Sequence, residues 1–121
     1  MTVKHVKDVP AQAVKAGELT SIQVLISAQE GPNFAMRRFV MEPGGGMPRH
    51  TNTVEHEQYV LQGHARVGIG EEEFEVKAGN VVFIPQGIPH WYRNVGEDNF
   101  EFLCLIPNIP DEIKLVDEKN C

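Results

Sequence analysis

The sequence predicts an all-β chain closed into one small, mainly antiparallel β-barrel. Short runs rich in β-branched and aromatic residues recur along it at close intervals, each bounded by Gly, Pro or Asn, which is the pattern of a β-sandwich or barrel. Several runs alternate apolar with polar residues at the period of two that a half-buried strand requires. A length of 121 residues suits one domain with one core. Residues 1–121 are therefore expected to form a single domain with its core over about 20–107. The N-terminus is expected to be loose or to contact a partner, and the C-terminal tail to be short.

The candidate strands are Ile22–Ile26, Phe34–Met41, His56–Leu61, Ala65–Ile69, Glu73–Val76, Val81–Ile84, His90–Arg93 and Phe100–Ile106. Gln29-Glu30-Gly31-Pro32-Asn33 separates the first two, and Glu42-Pro43-Gly44-Gly45-Gly46 reads as the turn that closes the second. Gln62-Gly63 and Gly70-Glu71 frame Ala65–Ile69 as part of a meander. Phe74 and Val76 alternate with Glu73, Glu75 and Lys77, so that strand should show one face to water. Lys77-Ala78-Gly79-Asn80 turns the chain into the apolar run Val81–Ile84, and Pro85-Gln86-Gly87 delivers His90 onto the next strand. In Phe100–Ile106 both alternating sets are largely apolar, so both faces should be covered. Ala11–Gly17 reads as weakly helical, and Asp111–Asn120 as a short helix or a loose tail.

Eleven Lys and Arg against seventeen Asp and Glu leave a net charge of −6. Nucleic acid and anionic membrane surfaces both need a basic footprint, so neither is expected as a partner. Runs such as Val81-Val82-Phe83-Ile84 are far too short to span a bilayer. No apolar stretch of signal-peptide length stands near Met1, and Cys104 and Cys121 make a poor disulfide framework. A reducing, cytoplasmic setting is the resulting expectation.

Three of the five histidines stand in frames that suggest chemistry. His50 follows the flexible run Gly44-Gly45-Gly46, His56 opens a strand that ends at Gly63, and His90 follows a buried strand and a tight turn. Imidazole is the commonest neutral metal ligand, and three from separate strands can converge inside a barrel and leave coordination positions open. His5 and His64 lack any such frame and read as ordinary polar residues.

The two segments together resemble the cupin family. Gly79, Pro85, Gly87, His90 and Asn94 match every position of its second motif, while Gly44, His50 and Gly63 match the first. The first motif departs twice: Asn52 stands where a second histidine belongs, and His56 occupies the slot of the glutamate. Counting back from Gly63 selects His56 rather than Glu57, and strand parity puts those two on opposite faces. A histidine in that slot resembles the small single-domain cupins that bind manganese through four histidines. The likeness extends over Asn33–Arg37, Glu42–Gly45 and Glu101–Pro107, so it covers residues 31–107.

The resemblance implies the double-stranded β-helix, or jelly roll, and a metal set of His50, Asn52, His56 and His90. It implies one divalent metal ion per chain, manganese or iron ahead of zinc, nickel, copper or cobalt. Two roles are open to Asn52: ligation through its side-chain oxygen, or falling short and leaving that place to water. Three imidazoles and no carboxylate would leave the ion's charge uncompensated, favouring an anionic or enolate-like ligand.

By the same resemblance the substrate pocket holds Arg37, Phe102, Cys104 and Ile106, with Tyr92 and Gln58 as further lining by parity with His90 and His56. Arg37 is placed either to hold a substrate carboxylate or to close a salt bridge at the barrel mouth. Cys104 is either a small hydrophobe or a thiol beside a redox metal. Trp91 should face outward.

The functional expectation is a metal-dependent enzyme on a small, oxygen-rich organic molecule, with dioxygenase chemistry first. A sugar or keto-acid isomerase or hydratase is the alternative, and a non-catalytic metal or small-ligand binding module is the rival. No side-chain base stands out near the histidines except Tyr92, which tilts the choice toward oxygen chemistry. A homodimer paired through edge strands and N-terminal segments is expected.

Overall fold

The computed structural model describes residues 1–116. Ten strands, all paired antiparallel, follow a short 3-10 turn at Val6–Asp8. They are β1 (Gln12–Ala13), β2 (Glu18–Ile26), β3 (Phe34–Asn52), β4 (His56–Gln62), β5 (His64–Ile69), β6 (Glu72–Lys77), β7 (Val81–Ile84), β8 (His90–Asn94), β9 (Phe100–Pro107) and β10 (Ile113–Leu115). Neighbours across the curled sheet run β6-β5-β8-β3-β9-β4-β7, with β2 and β10 also paired to β3. Among the described residues no helix is long and apolar enough to cross a membrane.

Strand β3, at 19 residues, joins the two halves of the barrel. Its first half pairs Phe34–Met41 with β9, while Gly46, Met47 and His50 pair with β8. The segment Glu42–Gly46, expected as a turn, is instead the bend of this continuous strand. Gly44 takes φ +83° there, so the glycines let the chain change direction without leaving the ladder. Gly46 serves a second need: a Cβ on it would lie 2.1 Å from the Tyr92 carbonyl oxygen. Only a bare backbone lets β8 approach β3 so closely.

Two further expectations fail. Ala11–Gly17 is not helical; Gln12 and Ala13 pair with Ile22 and Ser21 of β2, and Gly17 N–H closes a turn onto the Val14 carbonyl. A three-residue strand, Ile113–Leu115, returns along β3 where a C-terminal helix or loose tail was expected, and residues 117–121 lie outside the described residues. Both segments gain backbone partners from a neighbouring strand, which local propensity does not register.

The core packs Met41, Val60, Ala65, Val67, Ile84, Phe100 and Phe102 between the two halves. On β9, Phe100, Phe102 and Cys104 point inward and are buried, while Glu101, Leu103 and Leu105 are half-buried on the other face. Outward-facing Trp91 lies flat over Gly68 of β5, where a Cβ would come within 2.0 Å of its indole nitrogen. Phe74, expected on the covered face of β6, is 43% exposed, while Val76 is buried.

Gly46→Ala should therefore cost at least about 2 kcal/mol, because backbone rather than a flexible side chain blocks the new methyl. Gly44→Ala, strained in φ but with open space around it, should cost about 1 kcal/mol. Denaturant unfolding of the two variants checks the order.

Candidate metal centre

His50 and His90 face each other directly in the β3–β8 ladder. The ladder shifts register between Met47 and His50, and their rings meet at 4.2 Å between centroids. His56 arrives from β4, in register with Ile84 of β7, and its ring centroid is 5.5 Å from that of His90. The turn before β8 is tied to the same place, because Gly87 N–H donates to the Asn52 carbonyl at 2.8 Å. Gly87 holds that turn at φ +77°. All three imidazoles and the Asn52 amide are at most 5% exposed.

Which nitrogen each ring presents follows from what the other one touches. Nδ1–H of His50 donates to the Pro48 carbonyl at 2.7 Å, and Nδ1–H of His90 to the Ile88 carbonyl at 2.9 Å. A carbonyl only accepts, so in both rings the Nε2 lone pair is left free. His56 has no carbonyl beside it. Its Nδ1 sits 3.1 Å from Cys104 Sγ, with Arg37 Nη2 at 3.5 Å. The tautomer that frees Nε2 of His56 is the one whose Nδ1–H donates to this sulfur.

The Nε2 atoms of His56 and His90 and the Oδ1 of Asn52 are buried without a hydrogen-bond partner. Native interiors seldom leave such atoms unpaired, because each costs the desolvation of a lone pair. Neutral imidazoles with an amide oxygen make a donor set suited to a divalent first-row cation. The residues therefore fit a metal ion. The donors are gathered rather than already at coordination geometry: among the described residues no three His, Cys, Asp or Glu side chains surround a common point, and His50 and His90 lean on one another.

Burial is the main cause holding all three histidines below the ordinary value. It brings His56 to about 3, helped by the Arg37 charge, and His90 to about 4, and it lowers His50 as well. The Asp111 carboxylate opposes this fall at His50 and His90. Burial also raises the Tyr92 hydroxyl and the Cys104 thiol, so neither is a ready base.

A cavity of about 160 Å³ opens beside the histidines. Arg37, Gln58, Tyr92, Phe102 and Cys104 line it, as do the four candidate ligands. Arg37 forms no ion pair among the described residues; its Nη2 donates to Cys104 Sγ at 3.2 Å, its guanidinium lies over the Phe39 ring, and its Nε is buried without a partner. Next in sequence, Arg38 faces outward and pairs with Glu101 and Gln23. Gln58 Nε2 donates to the Tyr92 hydroxyl at 2.7 Å.

Ile106 does not line this cavity. It continues the face of Phe102 and Cys104, but β9 carries it past the cavity end to a separate depression with Phe34 and Glu57. Sequence reasoning missed Phe39 and Met41, whose parity with Arg37 was there to read, and Val14, Ile22, Met47 and Ile113. It also missed Asp111, whose carboxylate accepts from Asn52 Nδ2 at 3.2 Å and 3.4 Å. The ligand set read from the motifs contains no carboxylate, and Asp111 stands directly behind one of its members, Asn52.

A family model described as a cupin domain matches residues 37–106. Among solved structures, the polyketide cyclase RemF from Streptomyces resistomycificus superposes with a TM-score of 0.85 at 30% identity, over 98% of this chain and 88% of that one. The polyketide synthase CurC of Streptomyces cyaneus is 27% identical over 79% of this chain and 62% of its own length. The uncharacterized protein MJ1618 of Methanocaldococcus jannaschii is 36% identical over 43% of this chain and 42% of its own length. The chain thus spans less than two thirds of these last two relatives.

Two measurements follow from the site. Below pH 6.5 the unfolded chain binds protons that buried His56 and His90 refuse, so stability is fully present above about 6.5 and is lost as pH falls toward 4 and 3. The slope approaches about 1.4 kcal/mol per pH unit for each histidine, and denaturant midpoints of His90→Gln should fall less steeply. In Cys104→Ala only the donor Arg37 remains beside His56 Nδ1, so imidazole ¹⁵N shifts of the metal-free protein should show the proton moving to Nε2. Cys104→Ser should restore it.

Proposed function

The chain belongs to the cupin domain family, and from that premise we propose a metal-dependent enzyme acting on a small, oxygen-rich organic molecule, with dioxygenase-type oxidation as its chemistry. The observation that carries the metal part is the trio of buried, unpartnered donor atoms on Asn52, His56 and His90. When bound, a manganese or iron ion would supply Lewis acidity and access to one-electron chemistry. His50, His56 and His90 would hold it through Nε2, with Asn52 in the fourth place.

The chain's own residues then bind and orient. Arg37, with no carboxylate partner among the described residues, is available for the anionic or enolic end of a substrate, where its planar fork adds direction to charge. Phe39, Met41, Phe102 and Ile113 give an apolar wall for the rest of the molecule. Tyr92 and Cys104, both raised by burial, hold their protons at neutral pH, so the cavity offers orientation rather than a side-chain base. That favours chemistry whose reactivity comes from the ion.

A second reading has one specific support, the 30% identity to a polyketide cyclase. Here the same Arg37 and metal end would hold an enolisable polyketone while carbon–carbon closure or isomerisation proceeds without oxygen.

Metal analysis of the purified protein, followed by O₂ uptake with Fe(II) or Mn(II) on a panel of β-keto acids and hydroxylated aromatics, tests both. Near-stoichiometric metal that His56→Ala and His90→Ala abolish, with metal-dependent O₂ consumption, is the expected result. Arg37→Ala should raise KM for the anionic substrates at least tenfold. Anaerobic conversion of an enolisable probe would select the second reading, and a wild-type chain that takes up no metal would overturn both.

A further inference from the structure

Asn52 is the one candidate ligand whose donor atom depends on which way a group is turned. Its amide offers a cation a lone pair through Oδ1 and none through the NH₂. Both nitrogen–hydrogen bonds that fix its orientation go to Asp111, at 3.2 Å and 3.4 Å. An ionised carboxylate only accepts, so the amide nitrogen is committed to that side and Oδ1 to the other. There Oδ1 is buried and unpartnered, like the imidazole nitrogens of His56 and His90.

Asp111 is itself held. Thr53 N–H donates to its Oδ1 at 3.1 Å, and Glu112 N–H donates to Thr53 Oγ1 at 2.9 Å. Strand β10 then pairs Ile113, Lys114 and Leu115 with Asn52, Thr51 and His50, which straps this segment along the ligand-bearing end of β3.

We propose that Asp111 is a positioning residue: it turns Asn52 so that Oδ1 completes a set of one oxygen and three imidazole nitrogens, and it places a negative charge behind a set that is otherwise neutral. This rests on the metal reading above. The role is that of an outer carboxylate orienting a ligand, which in metalloproteins commonly governs affinity by 10–100-fold.

The test titrates Mn²⁺ and Zn²⁺ into metal-free wild type, Asp111→Ala, Asn52→Asp and the double variant Asn52→Asp/Asp111→Asn by calorimetry. It also follows the Asn52 side-chain NH₂ of the metal-free proteins by NMR. In Asp111→Ala, affinity should fall about 10–100-fold, and the Asn52 NH₂ should lose its protection from solvent exchange. Asn52→Asp sets two carboxylates against each other, a repulsion that a dication relieves, and should bind more tightly than wild type. Removing the second charge in the double variant should then weaken binding at least tenfold relative to Asn52→Asp.

The inference is overturned if Asp111→Ala keeps wild-type affinity and NH₂ protection. It is overturned equally if that variant loses metal as completely as His90→Ala, which would make Asp111 itself a ligand. Should Asp111→Ala fail to fold, equal affinities in Asn52→Asp and the double variant overturn it. If no protein binds either ion while NH₂ protection still depends on Asp111, the metal reading falls and the orienting role stands.

Discussion

His50 and His90 occupy facing positions on β3 and β8, and the rest of the site is arranged around that pairing. The close approach needs Gly46, whose missing side chain lets the Tyr92 carbonyl come against β3. It needs the turn at Gly87, hydrogen-bonded back to Asn52, to bring the chain into β8 at the right height. Once the two strands meet there, each ring turns its Nδ1–H onto a carbonyl two residues before it and leaves Nε2 for the interior. Two candidate ligands are thus oriented by backbone alone, which is a stiffer support than any side chain gives.

The remaining two members are oriented by side chains, and they are where the site becomes particular to this chain. His56 is set by Cys104, a group able to accept or donate, with Arg37 and Gln58 crowding the same sulfur. Asn52 is set by Asp111. Half of the donor set therefore rests on fixed dipoles and half on partners that single substitutions can alter. Arg37 stands outside the donor set but bears on its second half, since it touches Cys104 and the candidate substrate space at once.

Much of this was legible in the sequence because glycine and proline spacing fixes where strands turn, and the turns fix which histidines meet. The β-barrel follows from such local punctuation, and the meeting of His50, His56 and His90 was implied by the resemblance of their motifs to the cupin family. Glu42–Gly46 was misread because a glycine cluster signals flexibility without saying whether the ladder continues through it, as β3 does. Ile106 obeyed the parity of its strand, but period two says which face a residue takes and not how far the cavity extends along it. Asp111 was beyond reach for a plainer reason. Its partner lies 59 residues away, and no periodicity or spacing links a single aspartate to a distant amide.

That separation has a consequence for the order in which the site is assembled. Strands β3, β4 and β8, which carry the three imidazoles, are all present once Asn94 has been synthesised. The strap of β10 arrives later, and its contacts with Asn52 and Thr53 close one of the longest loops in the fold. Loop-closure entropy delays such contacts relative to nearer ones. A growing chain can thus pair His50 with His90 first, while His56 waits for β9 to join β4 to β3 and the orientation of Asn52 waits for the segment that carries Asp111. The departure at Asn52 makes completion of the donor set a report that the C-terminal strand has docked.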